Sequence, residues 1–341
     1  MFRSCSFINN LDLSLWDTSS VTDMTNMFAA TNQLTNLDIS LWDTSSVLIM
    51  TNMMGVNSNP DVSGWNTSSV THMNRMFNGS NTANPDVSGW NTSSVTDMAE
   101  MFVGCDVADP DVSGWDTSSV TDMHNMFRQT AVANPDVSVW DTSSVTRMDA
   151  MFWDARSANP DVSGWNTSSV TLMGGMFKGN NFATVANPDV SGWNTSSVTD
   201  MNEMFRGATV ANPDVSGWNT SSVTDMHSMF FSCPNANPNV SGWNTGLVTR
   251  MDSMFRSATS ADPDVSTWNV TSLGNAANMF TGIAISVAHY DGLLTGWESQ
   301  SVNNSVQFSG GNSQYSAGAA ATARAALISD HSWTITDGGQ V

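Results

Sequence analysis

The tryptophans constrain this chain most. Trp16, Trp42, Trp65, Trp90, Trp115, Trp140, Trp165, Trp193, Trp218, Trp243 and Trp268 recur at gaps of 23 to 28 residues, most often 25. Each lies in a copy of one stretch, seen cleanly at Asn84 to Phe102: Asn-Pro-Asp-Val-Ser-Gly-Trp-Asn-Thr-Ser-Ser-Val-Thr-Asp-Met-Ala-Glu-Met-Phe. A period of this length means a solenoid, in which no unit buries its own apolar face and each must stack on its neighbours. The length of 341 residues would otherwise suggest two domains, but a solenoid grows without a central core.

One unit reads as strand, turn and helix. Pro85 suits the start of a strand, because proline cannot donate to a ladder, and Val87 supplies the strand core. After Trp90 the period changes. Val95, Met98, Met101 and Phe102 fall at i, i+3, i+6 and i+7, one face of a helix. Ser94 reads as its N-cap and Asp97 as an acidic first turn. The expectation is an α/β solenoid, leucine-rich-repeat-like, of about eleven strand–turn–helix units with a parallel sheet. Trp90, Val95, Met98, Met101 and Phe102 form its core.

The repeats run over residues 1–282, with a truncated first repeat at 1–10 and a surface-loop insertion from Lys178 to Asn187. Leu11 and Leu37 stand where later units have proline. From Ile283 the period is lost. Val287, Tyr290, Leu293, Leu294 and Trp297 predict an amphipathic helix, Val306 and Phe308 a strand, the alanine-rich Ser316 to Ser329 a second helix, and Trp333 to Thr336 a last strand. Residues 283–341 are expected to form a small α+β C-terminal cap.

The motif Trp-[Asp/Asn]-Thr-Ser-Ser-Val-Thr-x-Met-x-x-Met-Phe resembles the 26-residue repeat of BspA-like bacterial surface proteins, a divergent leucine-rich-repeat class. The likeness covers Met1 to about Phe280. The tail, with Tyr-Asp-Gly-Leu-Leu at 290–294 and Trp-Thr-Ile-Thr-Asp-Gly-Gly at 333–339, also resembles the C-terminal segment of such proteins. The resemblance implies a surface-exposed binding or adhesion role and brings no catalytic residue.

Several columns carry candidate chemistry. The residue after each tryptophan is Asn or Asp, as at Asn66, Asn91, Asp116, Asp141, Asn166, Asn194, Asn219 and Asn244. Free exchange of charge leaves the side-chain carbonyl oxygen as the shared feature, which suits a structural ladder to backbone N–H groups. Glycosylation is the competing use, since Asn66, Asn91 and Asn166 begin Asn-x-Ser/Thr triplets. The Asp after proline, as in Asp86, Asp111, Asp136 and Asp161, is a candidate for calcium between repeats; an Asx turn is favoured. Strict alternation from Val87 would turn Trp90 outward as a glycan platform, but so large an apolar patch favours burial. Thr92 and Thr96 raise an array facing ice, with turn chemistry the stronger reading. The methionine columns read as core filling. Cys5, Cys105 and Cys233 share one column several repeats apart, beyond disulfide reach, and read as small buried thiols. His72, His124 and His227 read as exposed polar residues outside any cluster.

Composition bounds the partners. A net charge of −21 with 10 Lys and Arg excludes nucleic acid and anionic membrane as natural partners. No apolar run is long enough for membrane insertion. Met1 to Cys5 reads as the end of a repeat rather than a signal peptide, and no nucleophile–base pair or cofactor motif stands out. Strand and turn positions are nearly constant, whereas variation gathers between the two methionines and after the phenylalanine, as at Ala99-Glu100, His124-Asn125 and Gly174-Gly175. The expectation is a non-enzymatic adhesion or protein-binding module at the cell surface or outside the cell, without cofactors, whose partner is a protein or surface glycan. A structural or receptor-binding virion component is the alternative, and a glycan- or ice-binding solenoid a weaker one. Self-association, or a neighbouring chain, is expected at the N-terminal edge.

Overall fold

The computed structural model describes residues 2–5, 8–31, 33–55, 58–179 and 185–341. Met1 and residues 180–184 of the expected loop insertion lie outside the described residues. The chain divides into two compact units, Met1–Ser169 and Val170–Val341.

As described, the repeats are coils built of turns, and among the described residues the expected strand–turn–helix unit is not present. Among the described residues there are two helices and four strands of 3 residues each. The first unit holds β1 (Asn10–Asp12) and β2 (Asn36–Asp38). The second holds α1 (Val287–Glu298), β3 (Gln307–Ser309), α2 (Ala319–Ser329) and β4 (Thr334–Thr336). Both helices lie in the tail, and the two sheets have two strands each.

The supposed helix fails for a local reason. The residue before the second methionine has positive φ in coil after coil: 57° at Asn26, 59° at Glu100, 55° at Asn125, 53° at Glu203 and 57° at Ser253. A left-handed residue reverses the chain's chirality, so helical hydrogen bonding cannot run through it. Alternate amides instead donate to the next coil: Met98 N to Asp122 O (3.1 Å), Glu100 N to His124 O (2.8 Å), Phe102 N to Met126 O (2.9 Å) and Gly104 N to Arg128 O (2.9 Å). Single parallel bridges mark this ladder, from Asp23 to Arg147 in the first unit and from Leu172 to Asn275 in the second.

The expected strand is also a turn. Trp90 N donates to Val87 O at 3.2 Å, with Ser88 and Gly89 at the corner. Further corners close where Val95 N donates to Thr92 O (2.9 Å), Cys105 N to Phe102 O (3.2 Å) and Ala108 N to Cys105 O (3.4 Å). A polygon of such turns sends a side chain inward about every third residue. Val87, Trp90, Val95, Met98, Met101, Phe102, Cys105 and Ala108 are all buried. That spacing imitates a helical face, which is why the sequence pattern pointed to a helix.

β1 and β2 exist where proline is missing. They pair in parallel with Leu11 opposite Leu37. In regular coils proline has no N–H to donate at this place, and an Asn or Asp oxygen serves the neighbouring residue instead. Asn84 N donates to Asn59 Oδ1 (2.9 Å), Asp109 N to Asn84 Oδ1 (2.9 Å) and Asn134 N to Asp109 Oδ1 (3.1 Å).

Aromatic stacks fill each unit. The rings of Trp90, Trp115, Trp140 and Trp165 follow at 6.4 Å with interplanar angles of 2° to 3°, and Phe77, Phe102, Phe127 and Phe152 at 5.6 to 5.7 Å. Trp193, Trp218 and Trp243 repeat the 6.4 Å spacing in the second unit. In the tryptophan stack from Trp42 to Trp165 the indole N–H also finds a carbonyl, as a buried polar group must: Trp90 Nε1 donates to Val62 O of the preceding coil at 3.1 Å.

In the second unit the tail extends these columns. Ala276 N donates to Gln307 O (2.9 Å) and Phe280 N to Ser309 O (3.0 Å), so β3 takes the place of a further coil, and β4 pairs with β3 in parallel. Trp297 Nε1 on α1 donates to Val265 O at 3.0 Å.

Candidate functional site

The constant columns are occupied by the work of making corners. Asn66, Asn91, Asp116, Asp141, Asn166, Asn194 and Asn219 each accept the backbone N–H of the serine two residues on, and Asn244 that of Gly246. They therefore close their own corners, and the coil-to-coil link here belongs to the threonine that follows. Thr92 Oγ1 donates to Asp116 O at 2.8 Å and is buried, so it offers nothing to an ice-facing array.

Asp86, Asp111, Asp136 and Asp161 each accept both the amide and the hydroxyl of the following Ser88, Ser113, Ser138 or Ser163. At Asp111, Asp136 and Asp161 the serine hydroxyl, then the serine amide, holds the carboxyl below its usual range. These calcium candidates are Asx-turn acceptors, and among the described residues no group of three acidic, His or Cys side chains is arranged to hold a metal.

Cys105 and Cys233 are free and buried, with Sγ donating to Phe77 O and Phe205 O, and Cys5 is half-buried. Burial pushes the Cys105 and Cys233 thiols up to about 12.

Variable chemistry gathers on the ladder side of the coil, and there the histidine reading must be corrected. His124 and His227 are half-buried members of charged constellations. Two sets correspond: Asp97, Glu100, Asp122, His124, Arg147 and Asp149 in the first unit, and Asp200, Glu203, Asp225, His227, Arg250 and Asp252 in the second. In the first, His124 Nδ1 lies 2.7 Å from Asp122 Oδ1, Arg147 Nη1 lies 3.3 Å from Asp122 Oδ2, and Arg147 Nε lies 3.2 Å from Asp149 Oδ1. In the second the equivalent distances are 2.8, 3.2 and 3.1 Å. Hydrogen bonds accepted by Asp122 and Asp225, opposed by burial, hold both imidazoles above their ordinary range. Burial works to raise Asp122 and Asp225, but the hydrogen bonds and charges of His124 and Arg147, or His227 and Arg250, hold both carboxyls below normal.

Outward aromatics flank these sets. The Arg128 guanidinium sits 3.8 Å from the Trp153 ring centroid, and Phe231 lies between Arg206 (4.9 Å) and Arg256 (5.3 Å). Such pairs hold an aromatic and a cation in fixed orientation at low entropic cost on binding. The signal for all of this is in the sequence: Thr-Asp-Met-x-Glu, Thr-Asp-Met-His and Thr-Arg-Met-Asp occur in that order twice. The variation between neighbouring repeats marks these positions in the sequence, but the pairing of His124 with Glu100 and Asp122 needs the stacked coils.

Pre-ordered charges and aromatic faces on a rigid ladder suit recognition of a complementary surface. No curated protein and no solved structure matches the chain. The family described as Mycoplasma protein of unknown function, DUF285, matches four overlapping segments, residues 1–113, 79–186, 101–212 and 180–297. With its repeats accounted for by these matches along most of its length, the chain is a repeat protein that belongs to the DUF285 family.

Proposed function

We propose that the chain is a non-enzymatic adhesion or protein-binding module, exposed at a cell surface as its BspA-like repeat suggests, and that its partner is read on the ladder side of the coils. One observation carries this reading. The constant corner columns are saturated by their own turns, while the ladder side carries half-exposed charges and aromatics that differ from coil to coil. Sequence-specific recognition needs such differences, and interfaces are enriched in aromatic residues and arginine.

The test compares two variants against purified extracellular proteins and glycans by surface plasmon resonance. Arg147→Ser with Trp153→Ser alters the ladder side; Ser88→Ala with Ser113→Ala alters the corner side. The reading expects at least a tenfold loss of affinity in the first and little change in the second. Loss confined to the corner variant, with glycans as the ligand, would transfer function to the constant face.

A further inference from the structure

Four consecutive coils of the first unit are joined by one unbroken chain of alternating charges. Arg75 Nη2 lies 2.7 Å from Glu100 Oε1, which lies 3.4 Å from His124 Nε2. The chain continues through His124 Nδ1 to Asp122 at 2.7 Å, Asp122 to Arg147 at 3.3 Å, and Arg147 to Asp149 at 3.2 Å. Its middle link is the only member whose ordinary titration falls near neutral pH.

We propose that His124 is a proton-operated clasp between two coils: protonated, it bridges Glu100 of one coil and Asp122 of the next, and on losing its proton it lets that seam of the ladder side open. The reason lies in donors and acceptors. Both carboxylates are acceptors only, and although Arg75 and Arg147 also serve them, the ring presents an N–H to each only as the imidazolium. A neutral ring donating from Nδ1 to Asp122 turns the Nε2 lone pair towards Glu100, which is an acceptor facing an acceptor. With side-chain exposures of 18% for His124, 20% for Glu100 and 24% for Asp122, solvent screens this repulsion only in part.

Every coil packed around the ring contributes charge. Asp122 comes from its own coil, Asp97 and Glu100 from the preceding one, Arg147 and Asp149 from the following one. Arg147 opposes protonation and Asp149 favours it. Burial works to raise Glu100, but Arg75 and His124 together hold it below its usual range.

The second unit supplies an internal control. Glu203 is held by Lys178 and Arg206, and among the described residues no carboxylate lies within ion-pair distance of His227 Nε2. Arg206 follows Glu203 by three residues, the place that Val103 holds after Glu100. Three positions around the glutamate therefore separate a clasp from a one-sided pair: Arg75, Asn78 and Val103 in the first unit stand where the second has Gly175, Lys178 and Arg206.

The consequence for partners rests on the binding reading above; the clasp is measured without any partner. Histidine C2–H resonances of the full chain are followed by NMR from pH 5 to 9. Glu100→Gln should lower the His124 midpoint by about 1 unit and leave His227 unmoved. Val103→Arg, which supplies the arginine that holds Glu203 in the second unit, should lower it in the same direction and guards against an effect peculiar to Glu100→Gln. Amide exchange at Glu100, which donates to His124 O, should accelerate above the midpoint in the wild type after correction for intrinsic rates, and show no such step in His124→Gln. The clasp is overturned if Glu100→Gln moves neither histidine or both alike, or if the exchange step persists in His124→Gln. If the clasp titrates as stated but no partner's affinity depends on the ladder side, the binding reading fails and the clasp stands.

Discussion

The coils and the tail of the second unit meet the same hydrogen-bonding demands with different backbones. In the last coil Trp268 Nε1 donates to Val240 O at 3.0 Å; in the tail Trp297 Nε1 donates to Val265 O at the same distance, but from a helix. Gln300, just after α1, accepts Val270 N at 2.9 Å and donates to Trp268 O at 2.8 Å, using a side chain where coils use main chain. β3 accepts the ladder from Ala276 and Phe280 in extended form, where coils accept it through left-handed turns. α1 gets close enough because Gly296 lacks a Cβ, which would stand 2.2 Å from Ser266 O. What a preceding coil requires is therefore a set of donors and acceptors in register, and more than one local structure can supply it.

The largest test of this equivalence removes the indole from each region. Trp140→Ala in a coil and Trp297→Ala in the tail should each cost about 3–5 kcal/mol, read as a fall in denaturation midpoint in urea. Both rings are almost wholly buried and both N–H groups are bonded. A cost below about 1 kcal/mol at Trp297 alone would break the comparison.

Glycine should act with opposite sign in the two regions. Asn125 has φ 55°, so Asn125→Val should cost about 1–3 kcal/mol, whereas Asn125→Gly should be neutral or stabilising by under about 1 kcal/mol. Ala323→Gly inside α2 should cost about 1 kcal/mol. Thermal melting of the three variants decides it; a penalty for Asn125→Gly like that of Ala323→Gly would mean a helical coil segment.

Acid should loosen coils before tail. Carboxyls such as Asp111 and Asp214, held down by the serine hydroxyl and amide, contribute stability that is present above their unfolded value near 3.8 and lost as pH falls through the lower folded value. His124 and His227 run the other way: raised above 6.5, they contribute stability present below that value and lost as pH rises through the folded midpoint. Hydrogen exchange should show coil corners opening first on acidification below pH 4, and the melting temperature should fall slightly between pH 6 and pH 9. Exchange that opens α1 first in acid would contradict this order.

The smallest effect is chemical. At pH 8 an exposed-thiol reagent should label half-buried Cys5 well before Cys105 and Cys233, whose thiols are buried and pushed up to about 12. Simultaneous labelling would show that the coils open as readily as their end.

Much of this arrangement was legible. Val87, Val95, Met98, Met101 and Phe102 could be assigned inward from their recurrence, Trp90 only because an exposed column of indoles would make too large an apolar patch, and the break at Ile283 precedes two helices near where the sequence pattern places them. The Asn or Asp before the repeat proline escaped notice. Its role appears only when the Asn84 and Asp109 oxygens are seen to receive amides from the following coil. The charged sets escaped because their members stand on three successive coils, and only stacking brings Glu100, His124 and Arg147 together.

The amino-acid sequence by itself determined the period, the repeat character and most of the inward positions, because these depend on which side chains avoid water. Whether an inward residue every third position winds as a helix or as a string of turns was decided by tertiary structure. An amide can bond four residues back or across to a neighbour. With Glu100 left-handed and the next coil's carbonyls in register, the amides of Met98, Glu100 and Phe102 take the neighbour, and every second donor is lost to a helix.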